Sequence, residues 1–397
     1  MINKLKTPFF LIKENELNNN IQDFNYALNK YWPNSCLAYS IKTNSLPWLL
    51  EYLQNKDIIA EAVSREEYDL ALMCGYQGNK IIFNGPIKSE EDLIIAFKNE
   101  SIINIDSQRE LDFLIKNKPY HNGNLGIRIN VNPNVFSKDD IGYVDDGFRF
   151  GFSFENGELA KAIDIIKSIY GNKPFGLHLH CNSITRSLDV YRSIAKYAVH
   201  IIKEFDLTPS FIDMGGGFFG GVPGKTSADE YIDEISSVLK KCVNLNNTKL
   251  LIEPGSAIIG SVVDLYTSVL DAKKTEYANI ITTDGSRIYI DPLWKKSNYA
   301  YTIKSDAVGN TEDKQIICGY TCMDHDRIMS VKEYPMLQVG DKIIYHRVGA
   351  YSMTFGGTFI RYFPEVYVYN DFSTKKVRAK FDTSVYKLIH SSAEMEV

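Results

Sequence analysis

Eight short apolar runs alternate with helix-like stretches between residues 37 and 255, and from about residue 256 the chain turns to short β-rich runs separated by turns. Together these predict an α/β fold: a (β/α)8 TIM-like barrel plus a C-terminal, mainly antiparallel β domain. Polar and charged residues also gather at the ends of the apolar runs, where a parallel barrel concentrates its chemistry. The expected boundaries are 25–256 for the barrel, with 1–24 and 257–397 forming the β-rich domain.

The eight runs, in order, are "LAYSI", "IIAEA", "KIIFN", "INID", "LGIRINVN", "FGLHLHC", "FIDMGG" and "LLIEPG". Most are followed by a helical pattern, and two of those helices are well signalled. "SADEYIDEISSVLKKCV" opens on Ser227 with Glu230 three residues on, a capping box, and then repeats Tyr231, Ile232, Ile235, Val238, Leu239 and Val243 at helical spacing. "GELAKAIDIIKSIY", 157–170, is apolar on one face in the same way. Beyond residue 256, "VVDLYTSVL", "NIITTDG", "RIYID", "KQIICGY", "DKIIYHRVG" and "EVYVYN" read as strands of the second domain. The early run "TPFFLI" precedes the barrel and is free to supply a strand to it.

The bulk numbers narrow the function classes. At 397 residues the chain favours two domains, and 44% hydrophobic with 23% charged residues is ordinary globular composition. A net charge of −5 gives no general attraction to nucleic acid or membrane. The start, "MINKLKTPFFLIKENEL", has one short apolar patch interrupted by Lys13, too short and polar for a signal core or a span. Six scattered cysteines include no CxxC pair and no zinc-ligand spacing, so they read as reduced thiols of a cytoplasmic protein, and no metal is expected.

The strand ends carry the function. Lys42 closes the first run, although an ammonium there loses hydration unless it reaches the surface or is used. Glu61 lies on the second run and fits either a cofactor site or a barrel salt bridge. Arg128 lies on the fifth, and His178, His180, Cys181, Asn182 and Ser183 on or after the sixth. The seventh runs into Gly215, Gly216 and Gly217, and the eighth ends in Glu253-Pro254-Gly255-Ser256. Glycines let bare backbone N–H groups approach a phosphate. A lysine, a phosphate cradle, a ring-sized histidine and a buried glutamate fit one cofactor, pyridoxal 5′-phosphate.

With these motifs in hand, the sequence resembles the barrel-type (fold type III) pyridoxal-phosphate decarboxylases, the class of diaminopimelate and ornithine decarboxylases, whose barrel is shared with alanine racemases. "YSIKTN", "GLHLHCNS", "DMGGG", "EPG", "CGYTCMDHD" and "VGAYSMTFGG" follow the family's motif order along nearly the whole chain. The resemblance implies that Lys42 anchors the cofactor covalently and that His180 stacks on its ring. It implies that Ser183, Gly216, the backbone of Gly255 and Ser256, and Tyr351 bind the phosphate, that Glu253 meets the pyridine nitrogen, and that Arg128 supports the cofactor. Cys322 would come from a neighbouring subunit of a homodimer with shared sites and protonate the carbon that loses its carboxylate. His178 shares a face with His180 and reads as a core or supporting histidine.

The departures bear on substrate. The family's "EPG" is usually followed by arginine and here by Ser256. The diaminopimelate class carries an arginine before a proline in the second domain, where this chain has Asp291. The residue after the reactive cysteine is usually acidic and here is Met323. An arginine fork is the natural holder of a distal carboxylate. Its absence points away from diaminopimelate, toward a specialised amino acid, free or on a conjugate, of a secondary biosynthetic pathway. Asp291, Met323, Asp324 and Asp326 are the expected substrate contacts. The alternatives are an ornithine-, lysine- or diaminopimelate-type decarboxylase, then a racemase, then an inactive decarboxylase-like binding protein. Glu253 speaks against the racemase, which places an arginine at the pyridine nitrogen.

Overall fold

The computed structural model describes residues 2–391, which divide into two compact units. One spans Asn19–Ile258, and the other joins the chain up to Asn18 to the chain from Ile259 onward.

The first unit is a closed ring of eight parallel strands: Ser35–Ser40, Ile59–Ala62, Ile81–Phe83, Ile102–Ile105, Leu125–Asn130, Gly176–Leu179, Phe211–Asp213 and Lys249–Ile252. The last pairs with the first, Leu250 opposite Ser35 and Ile252 opposite Leu37, and this closes the barrel. Each strand falls within or at the edge of one predicted run. Strands buried on both faces read as unbroken apolar stretches because neither side meets water. Phe211 packs within a buried cluster with Ala38, Ile59, Ile82 and Leu251. Its ring fills the space that a Cβ at Gly126 or Gly176 would need, so small residues on two neighbouring strands make room for one large one. We expect Phe211→Ala to cost about 3–5 kcal/mol, read as a lower urea midpoint; an unshifted midpoint would show that the ring is not part of the core.

Outside the ring, helix Ala228–Leu239 starts with the capping box foreseen at Ser227 and Glu230. It stops at Leu239, so Val243 lies beyond it. Helix Glu158–Tyr170 buries Leu159, Ala162, Ile163 and Ile166 against the barrel unit's core.

The second unit is mainly antiparallel sheet, with strands Val263–Lys274, Asn279–Thr283, Tyr301–Lys304, Gln315–Cys318, Arg327–Val331, Lys342–Tyr345, Glu365–Asn370 and Ser373–Arg378. Strand Phe9–Lys13 belongs here and not in the barrel. It runs between Val263–Lys274, antiparallel, and Glu365–Asn370, parallel. The barrel has already closed on eight strands, and Phe9 finds its partners here, stacked on Tyr266 at 4.8 Å and edge-on to Tyr367 at 5.5 Å. Arg287–Ile290, read as a strand in "RIYID", is instead a short helix, as is Ser352–Phe355; both are too brief to show as periodicity. Among the described residues no helix is long and apolar enough to cross a membrane.

Candidate active site

Lys42 sits on a 3-10 turn, Ile41–Thr43, immediately after the first barrel strand. Its Nζ lies 2.7 Å from Glu61 Oε2 and donates to Ser40 Oγ at 2.7 Å. Ser40 Oγ in turn donates to Glu61 in a short contact. The lysine side chain keeps 44% exposure although protein atoms crowd it, so the amine is reachable yet only partly hydrated. Burial pulls its pKa down, but Glu61 and Glu253 outweigh that and hold it above the ordinary lysine value. Burial pushes Glu61 up, and the Lys42 ammonium, with donors from Lys42, Ser40 and Asn84, brings it below the ordinary carboxyl value. The two readings open for Glu61 therefore merge: the barrel salt bridge is made with Lys42 itself.

A polar chain continues across the strand ends. Asn84 Nδ2 donates to Glu61 Oε1 at 3.2 Å and to Glu253 Oε1 at 2.6 Å. Asn104 donates to Asn84 Oδ1 at 2.8 Å, and Gly215 N donates to Asp213 Oδ1 at 2.9 Å. Burial, then the neighbouring Asp213 and Glu61, push Glu253 well above the ordinary carboxyl range. Burial also raises Asp213, to about 6, and a hydrogen bond from Glu253 eases it. Burial is the largest cause of both shifts, and Glu253 is the more strongly raised of the two.

His178 and His180 are both shifted toward the neutral form. Burial, then Arg128 and Lys42, lower His180 to about 3. Burial and Arg128 take His178 well below its ordinary value. His178 Nε2 stands 3.8 Å from Glu253 Oε2, and neither ring nitrogen has a hydrogen-bond partner among the described residues. His178, Asp213 and Glu253 bring ligand-type atoms within 4.8 Å of one another. Arg128 Nη2 donates to His180 O at 3.1 Å, and its guanidinium lies over the Phe150 ring. Arg128 and His180 line a cavity of ≈ 650 Å³ whose other wall includes Tyr143, Phe148 and Phe150, a volume suited to a small ligand.

The phosphate-type residues of the barrel also converge. Ser183 Oγ accepts from Arg186 N at 3.2 Å, and Arg186 Nη1 donates to Ser256 Oγ at 3.2 Å. A Cβ on Gly216 would strike Glu253 O, and one on Gly255 would strike Thr43 Oγ1, so the backbone there must stay bare. Bare backbone, two hydroxyls, a guanidinium, a reachable amine and a proton-holding carboxyl fit an aromatic aldehyde that bears a phosphate.

The other expected residues belong to the second unit. Cys322 is exposed, on a turn held by Asp326. Asp326 is buried and accepts from Ser286 Oγ, Thr321 Oγ1 and Arg287 N at 2.7–2.9 Å. Asp291 is buried too, and its Oδ2 takes Arg287 Nη2 at 3.1 Å, Lys296 N at 2.8 Å and Tyr299 Oη at 3.3 Å. Asp291 and Asp326 were expected to contact substrate, and these partners occupy their carboxylates. Both are occupied in shaping their own unit. Asp324 is exposed, Met323 is half-buried, and Tyr351 caps helix Ser352–Phe355 in a left-handed conformation, φ +67°.

Asn84, Asn104, Asp213 and Arg186 were not foreseen. The first three lie inside quoted strand runs, and a polar residue interrupting an apolar run was the available signal.

An amine, a proton-holding carboxyl and a bare-backbone rim at the strand ends of one closed barrel define a pyridoxal-phosphate enzyme of the barrel class. Residues 15–260 match the model of the pyridoxal-dependent decarboxylases, pyridoxal binding domain, and the chain belongs to that family. It is a pyridoxal 5′-phosphate-dependent amino-acid decarboxylase, a carboxy-lyase of the diaminopimelate/ornithine type. Among its relatives, a probable chloroplastic diaminopimelate decarboxylase of Oryza sativa subsp. japonica is 27% identical over 387 residues, 94% of this chain and 77% of that protein. The diaminopimelate decarboxylase of M. jannaschii superposes with a TM-score of 0.83 at 20% identity, covering 98% of this chain and 93% of that one. That of Helicobacter pylori, solved with L-lysine, gives 0.81 at 22% identity and covers 98% of each chain. At these identities the superpositions speak for the fold.

Proposed function

We propose that the chain decarboxylates a specialised amino acid, free or carried on a conjugate, in place of diaminopimelate. The observation that carries this is the state of the positions where a distal carboxylate would be gripped. Ser256 replaces one arginine, and Asp291 replaces another while neutralising the nearby Arg287 at 3.1 Å. The aromatic wall beside His180 suits a larger or less charged side chain.

Bound pyridoxal phosphate supplies an aldehyde that condenses with the substrate amine and a ring that accepts the electrons left behind by departing carbon dioxide. The chain's own residues do the rest. Lys42 offers the anchoring amine, and Glu61 with Ser40 fixes its position. Neutral His180 stacks on the ring, and Arg128 holds the backbone that carries it. Ser183, Gly216, Gly255 and Ser256 take the phosphate. Glu253 meets the ring nitrogen with its proton in place. Cys322, supplied across a homodimer, protonates the α-carbon, with Met323 and Asp324 beside it. A second reading, diaminopimelate itself, is favoured by the names of the relatives.

The test is carbon dioxide release from meso-diaminopimelate, ornithine, lysine, arginine and lysine-bearing conjugates at equal concentration. The expected result is faster turnover of a substrate without a second carboxylate. Fastest turnover of meso-diaminopimelate would replace this reading with the second.

A further inference from the structure

We propose that Arg186 is the cation of the phosphate site, an inference that rests on the cofactor assignment above. A phosphate monoester carries close to two negative charges at neutral pH. The barrel residues expected to hold it, Ser183, Gly216, Gly255 and Ser256, are all neutral. Bare N–H groups and hydroxyls orient a dianion, but an arginine adds charge and paired donors.

Arg186 is the guanidinium placed among them. Its Nη1 lies 3.2 Å from Ser256 Oγ and 3.5 Å from Phe218 O, which puts the cation where the loops after the sixth, seventh and eighth strands meet. Among the described residues no carboxylate pairs with it, so its charge is left for another acceptor.

The chain also spends structure on this placement. Arg186 adopts a left-handed backbone, φ +53°, which costs a non-glycine residue free energy unless its surroundings fix it. They do so from three sides. Ser183 Oγ accepts from its N–H at 3.2 Å, Tyr231 Oη donates to its carbonyl at 2.6 Å, and its guanidinium lies 5.2 Å from the centre of the Phe219 ring. Beneath, Tyr191 stacks on Phe218 at 4.5 Å and donates to Gly216 O at 3.1 Å, tying the same support to the glycine run. An arginine needed only for packing would not require a held, left-handed backbone that aims it at a serine hydroxyl.

The experiment compares pyridoxal phosphate with pyridoxal, which lacks the phosphate, on the full-length wild type and Arg186→Gln. Binding is followed by the absorbance change, and the bound phosphate by its phosphorus magnetic resonance. We expect Arg186→Gln to weaken pyridoxal phosphate by about 10- to 100-fold, the worth of a hydrogen bond to a charged group, to shift the phosphorus resonance and to leave pyridoxal affinity unchanged. Equal weakening of both compounds, or no weakening of either, overturns the assignment. Should Arg186→Gln fail to fold, Arg186→Lys is expected to show the same phosphate-selective loss in smaller degree, and a non-selective effect overturns the proposal there too. A wild type that takes up neither compound overturns the cofactor assignment itself, and this inference with it. A wild type that binds pyridoxal phosphate while Arg186→Gln binds it equally well overturns only the role of Arg186.

Discussion

Lys42→Ala is expected to leave no covalent adduct with pyridoxal phosphate after borohydride reduction and to slow decarboxylation by at least about 10³-fold, the scale on which enzymes lose a nucleophile. The loss should be large because, among the described residues, no other amine is placed to substitute. Lys88 is the other lysine drawn into the barrel's interior, but it is fully buried, paired with Glu110 at 3.1 Å and bonded to Gly85 O at 2.7 Å. The variant should also lose stability at neutral pH, because Glu61 stays buried without the ammonium that lowers its pKa. In the wild type a lowered carboxyl contributes stability that is present above its ordinary pKa and is lost as pH falls through the lowered one. Without Lys42, burial alone would raise Glu61, so the deficit in melting temperature should be greater at pH 7 than at pH 5. Lys42→Arg separates the two roles: the charge stays and the melting temperature with it, while the adduct is lost. An adduct that survives in Lys42→Ala would place the anchor elsewhere.

The barrel was legible because its strands are buried on both faces, and such strands write themselves as apolar runs with polar residues at the ends. Lys42, Glu253, His180 and the glycine run stood out for the same reason: a charge, or a residue without a side chain, breaks the run. The second unit was legible as β but not in its pairing. Nothing local in "TPFFLI" tells whether Phe9 will pair with a barrel strand or with Tyr266, because a strand's partner is fixed by long-range closure. Asp291 and Asp326 looked available because a sequence shows charges and not what satisfies them. Their partners, Arg287, Ser286 and Thr321, declare themselves only when the turn folds. Arg186 was hidden for a related reason: it lies seventy residues before Ser256, and only the barrel brings the loops after the sixth and eighth strands together.

Glu253→Gln is expected to reduce the decarboxylation rate by about 10²- to 10⁴-fold, the range for a positioned proton donor or acceptor, while cofactor uptake continues through Lys42 and the phosphate rim. The substitution keeps the shape and the contacts. Glutamine's carbonyl oxygen can accept from Asn84, as Glu253 Oε1 does at 2.6 Å, and its amide can donate toward Asp213. What it removes is the exchangeable proton. In the wild type burial, Asp213 and Glu61 all disfavour the charge on Glu253 and so favour its protonated form. With pyridoxal phosphate bound, Glu253 would stand at the ring nitrogen and favour its protonated form, and a protonated ring would draw electrons more strongly from the bond that releases the carboxylate. The same proton makes stability depend on pH. A carboxyl whose folded pKa is raised binds more proton folded than unfolded, so stability falls as pH rises from its ordinary value of 4.5 toward the raised one, by up to about 1.4 kcal/mol per pH unit for one proton. Glu253→Gln removes that part of the slope. The cofactor-free variant should therefore gain on the wild type in melting temperature between pH 5 and pH 8, while its turnover collapses. A variant that keeps the wild-type rate would release Glu253 from the ring nitrogen, and a variant with an unchanged pH slope would place the buried proton on a group other than Glu253.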